Sequence, residues 1–133
     1  MSKSSEWVKV IVRWRPFVQM EKLKKWSSII EIDKGLWQVG ITKPDQEVKI
    51  FKYDAVEEID SSQQQVYADS AFNLVESTIQ GYNTTIFAYG QTGWGKTHTM
   101  IGEIENDTEK GIMPRSFEHV FSVISENEGP TGK

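Results

Sequence analysis

The 133-residue sequence contains no cysteine. Disulfide frameworks, cysteine-ligated metal sites and thiol nucleophiles are therefore excluded. The sequence also lacks any run of about 20 apolar residues, so it predicts no membrane span. Its first residues, MSKSSEWVKV, lack the apolar segment of a secretory signal. These absences lead us to expect a cytoplasmic protein.

Basic residues are in the minority, with 15 Lys and Arg against 19 Asp and Glu and a formal net charge of −4. Since nucleic-acid phosphates are bound by an excess of Lys and Arg, we expect no nucleic-acid partner. The length and the 38% hydrophobic content are typical of one domain with a modest core.

One segment carries recognisable chemistry. Residues 90–97 read GQTGWGKT, which fits the phosphate-loop pattern G-x-x-x-x-G-K-T. They follow the apolar run TIFAY at 85–89, which predicts a buried strand, and they lead into a short helix predicted from Lys96 to about Met100. A strand, a glycine-rich turn and a helix in this order direct backbone N–H groups, and the positive end of the helix dipole, at one point. That arrangement predicts a polyphosphate site.

Each residue type in the motif suits that chemistry. The glycines allow positive φ angles and a close approach of the backbone to phosphate oxygens. Lys96 is expected to reach the β- and γ-phosphates, and the Thr97 hydroxyl is expected to ligate Mg²⁺. A glycine-rich turn that matches by chance is the alternative, which the flanking strand and the intact GKT disfavour. The predicted phosphate-binding residues are Gly90, Gln91, Thr92, Gly93, Trp94, Gly95, Lys96 and Thr97.

The remaining pattern predicts alternating strands and helices. Strands are predicted at 8–15, 29–33, 36–41 and 47–53, the last three as an antiparallel meander, with an irregular connection at 17–27. Ser61 or Ser62 begins a helix that runs to about Gln80, with Tyr67, Ala71, Leu74, Val75, Thr78 and Ile79 along one face, and Gly81 ends it. A polar surface loop is predicted at 102–111, and the polar tail at 126–133 is predicted as a loop.

A last helix is predicted from Pro114. Its residues Phe117, Val120, Phe121 and Ile124 have i, i+3, i+4, i+7 spacing, which predicts a core-facing stripe. His119 lies off this stripe, so we expect it to be solvated.

Several segments together resemble the N-terminal part of a kinesin motor domain. They are GYNTTIFAYGQTGWGKTHTM at 81–100, IVRWRPF at 11–17, GIMPRSFEHVF at 111–121, YDAV at 53–56 and QVY at 65–67. The resemblance implies an α/β fold of the P-loop NTPase class, a mixed sheet flanked by helices, of which residues 1–133 form the incomplete N-terminal portion. It also implies a microtubule motor ATPase that uses ATP and Mg²⁺ on the cytoskeleton of the cytoplasm.

The resemblance extends to the base of the nucleotide. The R-x-R-P motif at 13–16 matches positions that line the adenine in kinesins, so Arg13, Arg15 and Pro16 are expected on one side of the base and His98 on the other. By pattern alone, Arg13 and Arg15 would be the polar face of an edge strand, and His98 an ordinary helix residue.

Two tryptophans depart from the family. Trp14 and Trp94 stand where kinesins often carry Cys or another small residue, so the ring of Trp94 is expected to crowd or shield the phosphates. We hypothesise that Cys codons were read as Trp at these positions. Sequencing the transcript tests this, and ordinary UGG codons at all five Trp positions would contradict it.

Some family motifs do not occur in these residues. The sequence contains neither N-x-x-S-S-R nor D-x-x-G-x-E, the switches by which kinesins sense the γ-phosphate and position water. Phosphoryl transfer needs several positioned groups, so we assign no catalytic residue within 1–133 and expect weak ATP binding with little hydrolysis. Microtubule contact is expected through regions of the family outside this segment. Two alternatives are a non-motor ATP-binding or regulatory module and a small kinase, and the kinase leaves the R-x-R-P and GIMPRSF segments unexplained.

Overall fold

The computed structural model describes residues 8–24 and 28–127. It forms two compact units, Met1–Asp60 and Ser61–Lys133. Parallel and antiparallel strands together with helices confirm the predicted fold class. None of the helices within the described ranges is long and apolar enough to cross a bilayer. Residues 25–27 of the predicted connection at 17–27, and residues 128–133 of the predicted tail, lie outside the described residues.

The first unit contains two small sheets. Its elements are β1 (Ile11–Arg13), α1 (Gln19–Leu23), β2 (Ile30–Asp33), β3 (Gln38–Thr42), β4 (Val48–Lys52) and β5 (Ala55–Glu57). The antiparallel order β2-β3-β4 confirms the predicted meander, with Val39 opposite Ile32 and Phe51. β1 pairs in parallel with β5.

The strand predicted at 8–15 is shorter in the structure, where β1 spans only Ile11–Arg13. β1 has only three residues because β5 offers it three partners, from Ala55 to Glu57. All residues of β5 are buried, and Val56 is fully enclosed. β5 is too short to show alternation, so its pattern did not predict a strand. The Glu57 carboxylate lies 3.6 Å from the Lys34 ammonium, which gives this buried charge a partner of opposite sign.

The predicted irregular connection at 17–27 contains a helix, α1, so that prediction was wrong. Glu21 organises its first turn, since its carboxylate accepts a 2.8 Å hydrogen bond from the Val18 N–H and another of 2.8 Å from the Arg15 guanidinium. A Glu three residues after the cap is one half of a capping box. The other half needs a Ser or Thr hydroxyl at the cap position, where this chain has Val18, and the pattern was therefore missed.

These contacts predict that α1 is acid-sensitive. The hydrogen bond from Arg15, followed by that from the Val18 backbone, lowers the pKa of Glu21 below its usual value. The stability that the carboxylate contributes is therefore complete above the usual pKa of Glu and is lost as pH falls through the lower pKa of the folded state. We expect the NMR signal of the Val18 amide to shift as pH falls below about 4.3, the usual pKa of Glu.

Glu21→Gln is the control for this titration, because the amide oxygen still accepts from Val18 but does not titrate. Its Val18 signal should stay constant over the same range. A Val18 shift of equal size in both proteins would contradict the assignment to Glu21.

The second unit is helical. Its elements are α2 (Gln63–Ser70), α3 (Phe72–Ile79), α4 (Lys96–Met100) and α5 (Ile112–Asn127). Ser62 is one of the two predicted N-cap residues, and its hydroxyl accepts the Gln65 N–H at 3.1 Å. Gly81 ends α3 with φ 98°, as predicted.

The single helix predicted for 62–80 is interrupted at Ala71, where φ is −108°. At the preceding residue, the Ser70 hydroxyl donates to the Val66 carbonyl at 2.5 Å, a side-chain bond that competes with the helix ladder and bends helices. The first part of the predicted face is confirmed, because Tyr67, Ala71 and Val75 are buried. Leu74 is half-buried, whereas Thr78 and Ile79 are exposed, so the prediction was wrong for these last two.

The core of this unit consists of Tyr67, Ala71, Val75 and Ile112, with Ile86, Met100 and Val120 packed against it. α5 begins at Ile112, two residues before the predicted start at Pro114. The prediction that the whole stripe of α5 faces the core was wrong, since Phe117 and Phe121 are 60% and 64% exposed. The periodicity correctly predicted an apolar face, but no element within residues 61–127 covers it.

The segment at 85–89 has no regular secondary structure and pairs with no strand among the described residues. Ile86 packs on the core, whereas Phe87 and Tyr89 are 77% and 96% exposed. The prediction of a buried strand was therefore wrong. A continuous apolar run predicts burial on both faces, and the described part of this unit covers only the face that carries Ile86.

Candidate phosphate-binding site

Apolar contacts on both sides hold the loop at 90–97 in place. Ile86 precedes the loop and Met100 follows it, and both side chains pack against the same core. The loop therefore begins and ends at points attached to the most buried part of the unit. Its own residues are exposed or half-buried, so the backbone between these two anchors is accessible to a ligand.

Two glycines give the loop its conformation. Gly93 has φ 84° and Gly95 has φ 88°, values in the left-handed region that residues with a Cβ seldom adopt. Between them, the Trp94 N–H donates to the Gln91 carbonyl at 3.1 Å and closes a turn. α4 starts immediately afterwards, where the Thr99 N–H donates to the Gly95 carbonyl at 2.9 Å. A turn followed directly by the start of a helix is the order of elements that the motif predicts.

Lys96 joins the two ends of the loop. Its half-buried ammonium donates a hydrogen bond to the Gly90 carbonyl. The positive charge is therefore kept at the loop, and a phosphate oxygen could replace the carbonyl as its acceptor. Thr97 follows on the first turn of α4, and this residue is exposed.

Trp94 lies along one end of the loop. A Cβ placed on Gly90 would be 3.4 Å from Cε3 of the indole. The indole is 58% exposed. The ring thus lies against the Gly90 end of the loop.

Gln63 is a site residue that sequence reasoning missed. Its side-chain amide donates to the carbonyl of His98 on α4 at 2.7 Å and to the carbonyl of Glu109 at 3.1 Å. The two partners are 35 and 46 residues away along the chain. In the sequence, Gln63 is simply a glutamine directly after the Ser62 cap, and a polar side chain at such a position is usually expected to be exposed. Nothing in the local pattern therefore indicated that Gln63 is buried.

The predicted loop at 102–111 is confirmed as a loop, and Arg115 organises it. The guanidinium donates to the carbonyls of Lys110 at 2.9 Å and Asp107 at 2.8 Å. The Lys110 ammonium lies 2.6 Å from the Asp107 carboxylate and also pairs with Glu118. The hydrogen bond from Lys110 lowers the pKa of Asp107. The connection between α4 and α5 is therefore held by ionic contacts.

His119 is not solvated, contrary to the sequence prediction. Its Nδ1 lies 2.8 Å from the Tyr67 hydroxyl and its Nε2 lies 2.5 Å from the Glu76 carboxylate. The imidazole also stacks on Phe72, with ring centroids 4.7 Å apart. Burial raises the pKa of Tyr67 above its usual value. His119 thus joins α5 to α2 and α3.

The residues predicted to contact the base are distributed over both units. His98 is exposed on α4, beside the phosphate loop in sequence. Arg13 ends β1 in the first unit, and Pro16 is exposed there. Arg15 donates to the Pro16 carbonyl at 3.2 Å as well as to Glu21, so in this structure its guanidinium stabilises the start of α1. Their contact with adenine remains a prediction.

Comparison with known proteins gives a consistent result. The family model for the kinesin motor domain matches residues 13–131. The chain is 39% identical over 131 residues to a kinesin-like protein KIF3C of Bos taurus. The aligned residues cover 96% of this chain and 16% of that relative. It is 38% identical, with the same coverage, to the kinesin-like proteins KIF3C of Pongo abelii and Mus musculus. The chain therefore spans about one sixth of the length of these relatives.

Proposed function

Because the chain belongs to the kinesin motor domain family, we propose that residues 1–133 are the ATP-binding, N-terminal portion of a microtubule motor ATPase. The observation that carries the proposal is the loop at 90–97, where Gly93 and Gly95 adopt positive φ and Lys96 lies against the loop. In the whole motor, hydrolysis of ATP would drive movement along microtubules of the cytoplasmic cytoskeleton.

Binding would proceed by exchange of acceptors at the loop. The Lys96 ammonium would leave the Gly90 carbonyl for the β- and γ-phosphates, and the backbone amides of the loop would donate to phosphate oxygens. Arg13, Pro16 and His98 would hold the adenine. In the proposed complex Trp94 would keep solvent from the Gly90 end of the phosphates.

The residues of the loop fit a magnesium ion bound together with the phosphates. Mg²⁺ prefers oxygen ligands and is usually held by one or two protein groups plus phosphate oxygens. The Thr97 hydroxyl, on an exposed residue at the first turn of α4, would be that protein ligand. The ion would neutralise charge between the β- and γ-phosphates.

Replacing Thr97 tests this assignment. Thr97→Ala should weaken ATP binding in the presence of Mg²⁺ by about tenfold, the effect of losing one ligand or charged hydrogen bond. Thr97→Ser keeps the hydroxyl and should bind like the wild type. Calorimetric titration with and without Mg²⁺ measures both, and equal affinities for the Ala and Ser variants with Mg²⁺ would contradict the role of the hydroxyl.

Hydrolysis and microtubule contact are proposed for the whole motor and not for these residues alone. The two switch motifs do not occur in the 133 residues, and the net charge of −4 would not attract acidic microtubules. These two features of the 133 residues also favour a second candidate function, an ATP-binding module without motor activity. An ATPase assay on the protein that carries this chain decides between them, since stimulation by microtubules supports the motor and its absence supports the module.

A further inference from the structure

Gln63 is a buried polar residue at the start of α2. It is 4% exposed, and its side-chain nitrogen donates to two carbonyls, those of His98 and Glu109. Both acceptors are backbone groups, one in the helix that follows the phosphate loop and one in the connection at 102–111. A single amide therefore joins α2 to the two segments that flank the end of α4.

The end of α4 needs an external donor. The last carbonyls of a helix have no intrahelical partner, and here the N–H groups of Ile101 and Gly102 both donate to the Thr97 carbonyl, at 2.8 and 3.1 Å. Neither is directed at the carbonyl of His98, which receives the Gln63 amide instead. The side chain thus serves as a cap supplied by another helix.

Gly102 lies beside this amide. A Cβ built on Gly102 would lie 2.9 Å from the Gln63 nitrogen and 2.0 Å from the Glu109 carbonyl oxygen. Gly102 itself has φ 62°. The connection therefore has no room for a side chain at Gly102 beside the amide, and this proximity makes the position of Gln63 and that of α4 interdependent.

We propose that Gln63 is a positioning residue for the phosphate loop. It holds the carbonyl of His98, two residues beyond Lys96, and so fixes where Lys96 and Thr97 stand at the first turn of α4. Its own position is set by the Ser62 cap and by burial of the neighbouring Val66 in α2. The effect on nucleotide binding rests on the function proposed above, whereas the effect on α4 does not.

Both acceptors are carbonyl oxygens, so replacing the Gln63 amide by a group of similar size that cannot donate tests the role of its hydrogen bonds. Gln63→Glu replaces the donor by a carboxylate, which cannot donate when ionised and repels both carbonyl oxygens. Gln63→Met removes the donor without adding charge. Gln64→Glu is the matched control, because it makes the same chemical change at the next, exposed position of α2.

Amide hydrogen exchange on the 133-residue chain tests the positioning directly. In Gln63→Glu and Gln63→Met, the Ile101 and Gly102 amides should exchange about tenfold faster, the equivalent of about 1.4 kcal/mol of local stability lost with the hydrogen bonds. The Val75 amide, bonded to the Ala71 carbonyl in the core, should keep its rate. Gln64→Glu should match the wild type throughout. Wild-type rates at Ile101 and Gly102 in both Gln63 variants, or equal acceleration at Val75, would overturn the inference.

Release of a fluorescent ATP analogue in the presence of Mg²⁺ provides the second readout. We expect release about tenfold faster from both Gln63 variants and unchanged from Gln64→Glu. Faster amide exchange with unchanged release would show that Gln63 only stabilises the fold, and the positioning role would be lost. If the wild type binds no analogue, the proposed ATP site fails, and the amide exchange still decides whether Gln63 holds α4.

Discussion

Replacing Lys96 by alanine is expected to weaken binding of Mg-ATP by about 30- to 150-fold, the equivalent of about 2–3 kcal/mol for a charged hydrogen bond to phosphate. Lys96 is the ammonium that the structure places at the phosphate loop, against the Gly90 carbonyl. Its removal takes away both the charge and the donor while leaving the glycine turn intact. Equilibrium titration with Mg-ATP measures the change.

Lys52→Ala is the control for this experiment. Lys52 is an exposed cation on β4 in the first unit, so its loss changes the net charge of the chain by the same amount. We expect the control to bind Mg-ATP like the wild type. Equal weakening of Mg-ATP binding in both variants would mean that the affinity depends on the net charge of the chain. Equal affinity of Lys96→Ala and the wild type would contradict a phosphate contact by Lys96.

Replacing His119 by alanine is expected to lower the free energy of unfolding of the second unit by about 2–3 kcal/mol. The substitution removes two hydrogen-bond contacts, to Tyr67 and Glu76, and the stacking on Phe72. It also leaves the buried Tyr67 hydroxyl without this partner. For a unit of this size the midpoint of thermal unfolding should fall by about 10–20 °C.

Ser122→Ala is the matched control, since it removes a polar group from an exposed position of the same helix, α5. Its unfolding midpoint should stay close to that of the wild type. Thermal denaturation followed by circular dichroism at helix wavelengths measures both variants. If His119→Ala unfolds with the wild-type midpoint, the imidazole does not join α5 to α2 and α3 in solution.

Features governed by neighbouring residues were predictable from the sequence. The turn at Gly93 and Gly95 and the cap at Ser62 each depend on residues within a few positions of one another. The meander was predictable for the same reason, because short turns bring β2, β3 and β4 together in chain order. Such local signals led to the phosphate loop before any tertiary contact was known.

Features that depend on distant partners were not predictable. The stripe at Phe117 and Phe121 predicted an apolar face correctly, but periodicity does not state which element covers that face. The apolar run at 85–89 was misread for the same reason. His119 and Gln63 have polar partners 35 to 52 residues away, and the pattern around each residue resembles that of an exposed side chain.

Mapping Mg-ATP onto the backbone amides of the chain by NMR tests the central claim most directly. We predict that the largest shifts fall on Gly93, Trp94, Gly95, Lys96 and Thr97, and that Mg-tripolyphosphate, which lacks the base, moves the same amides. The amides of the meander, such as Val39, should not move with tripolyphosphate. Shifts concentrated away from 90–97, or none at saturating Mg-ATP, would contradict the assignment of this loop as the phosphate site.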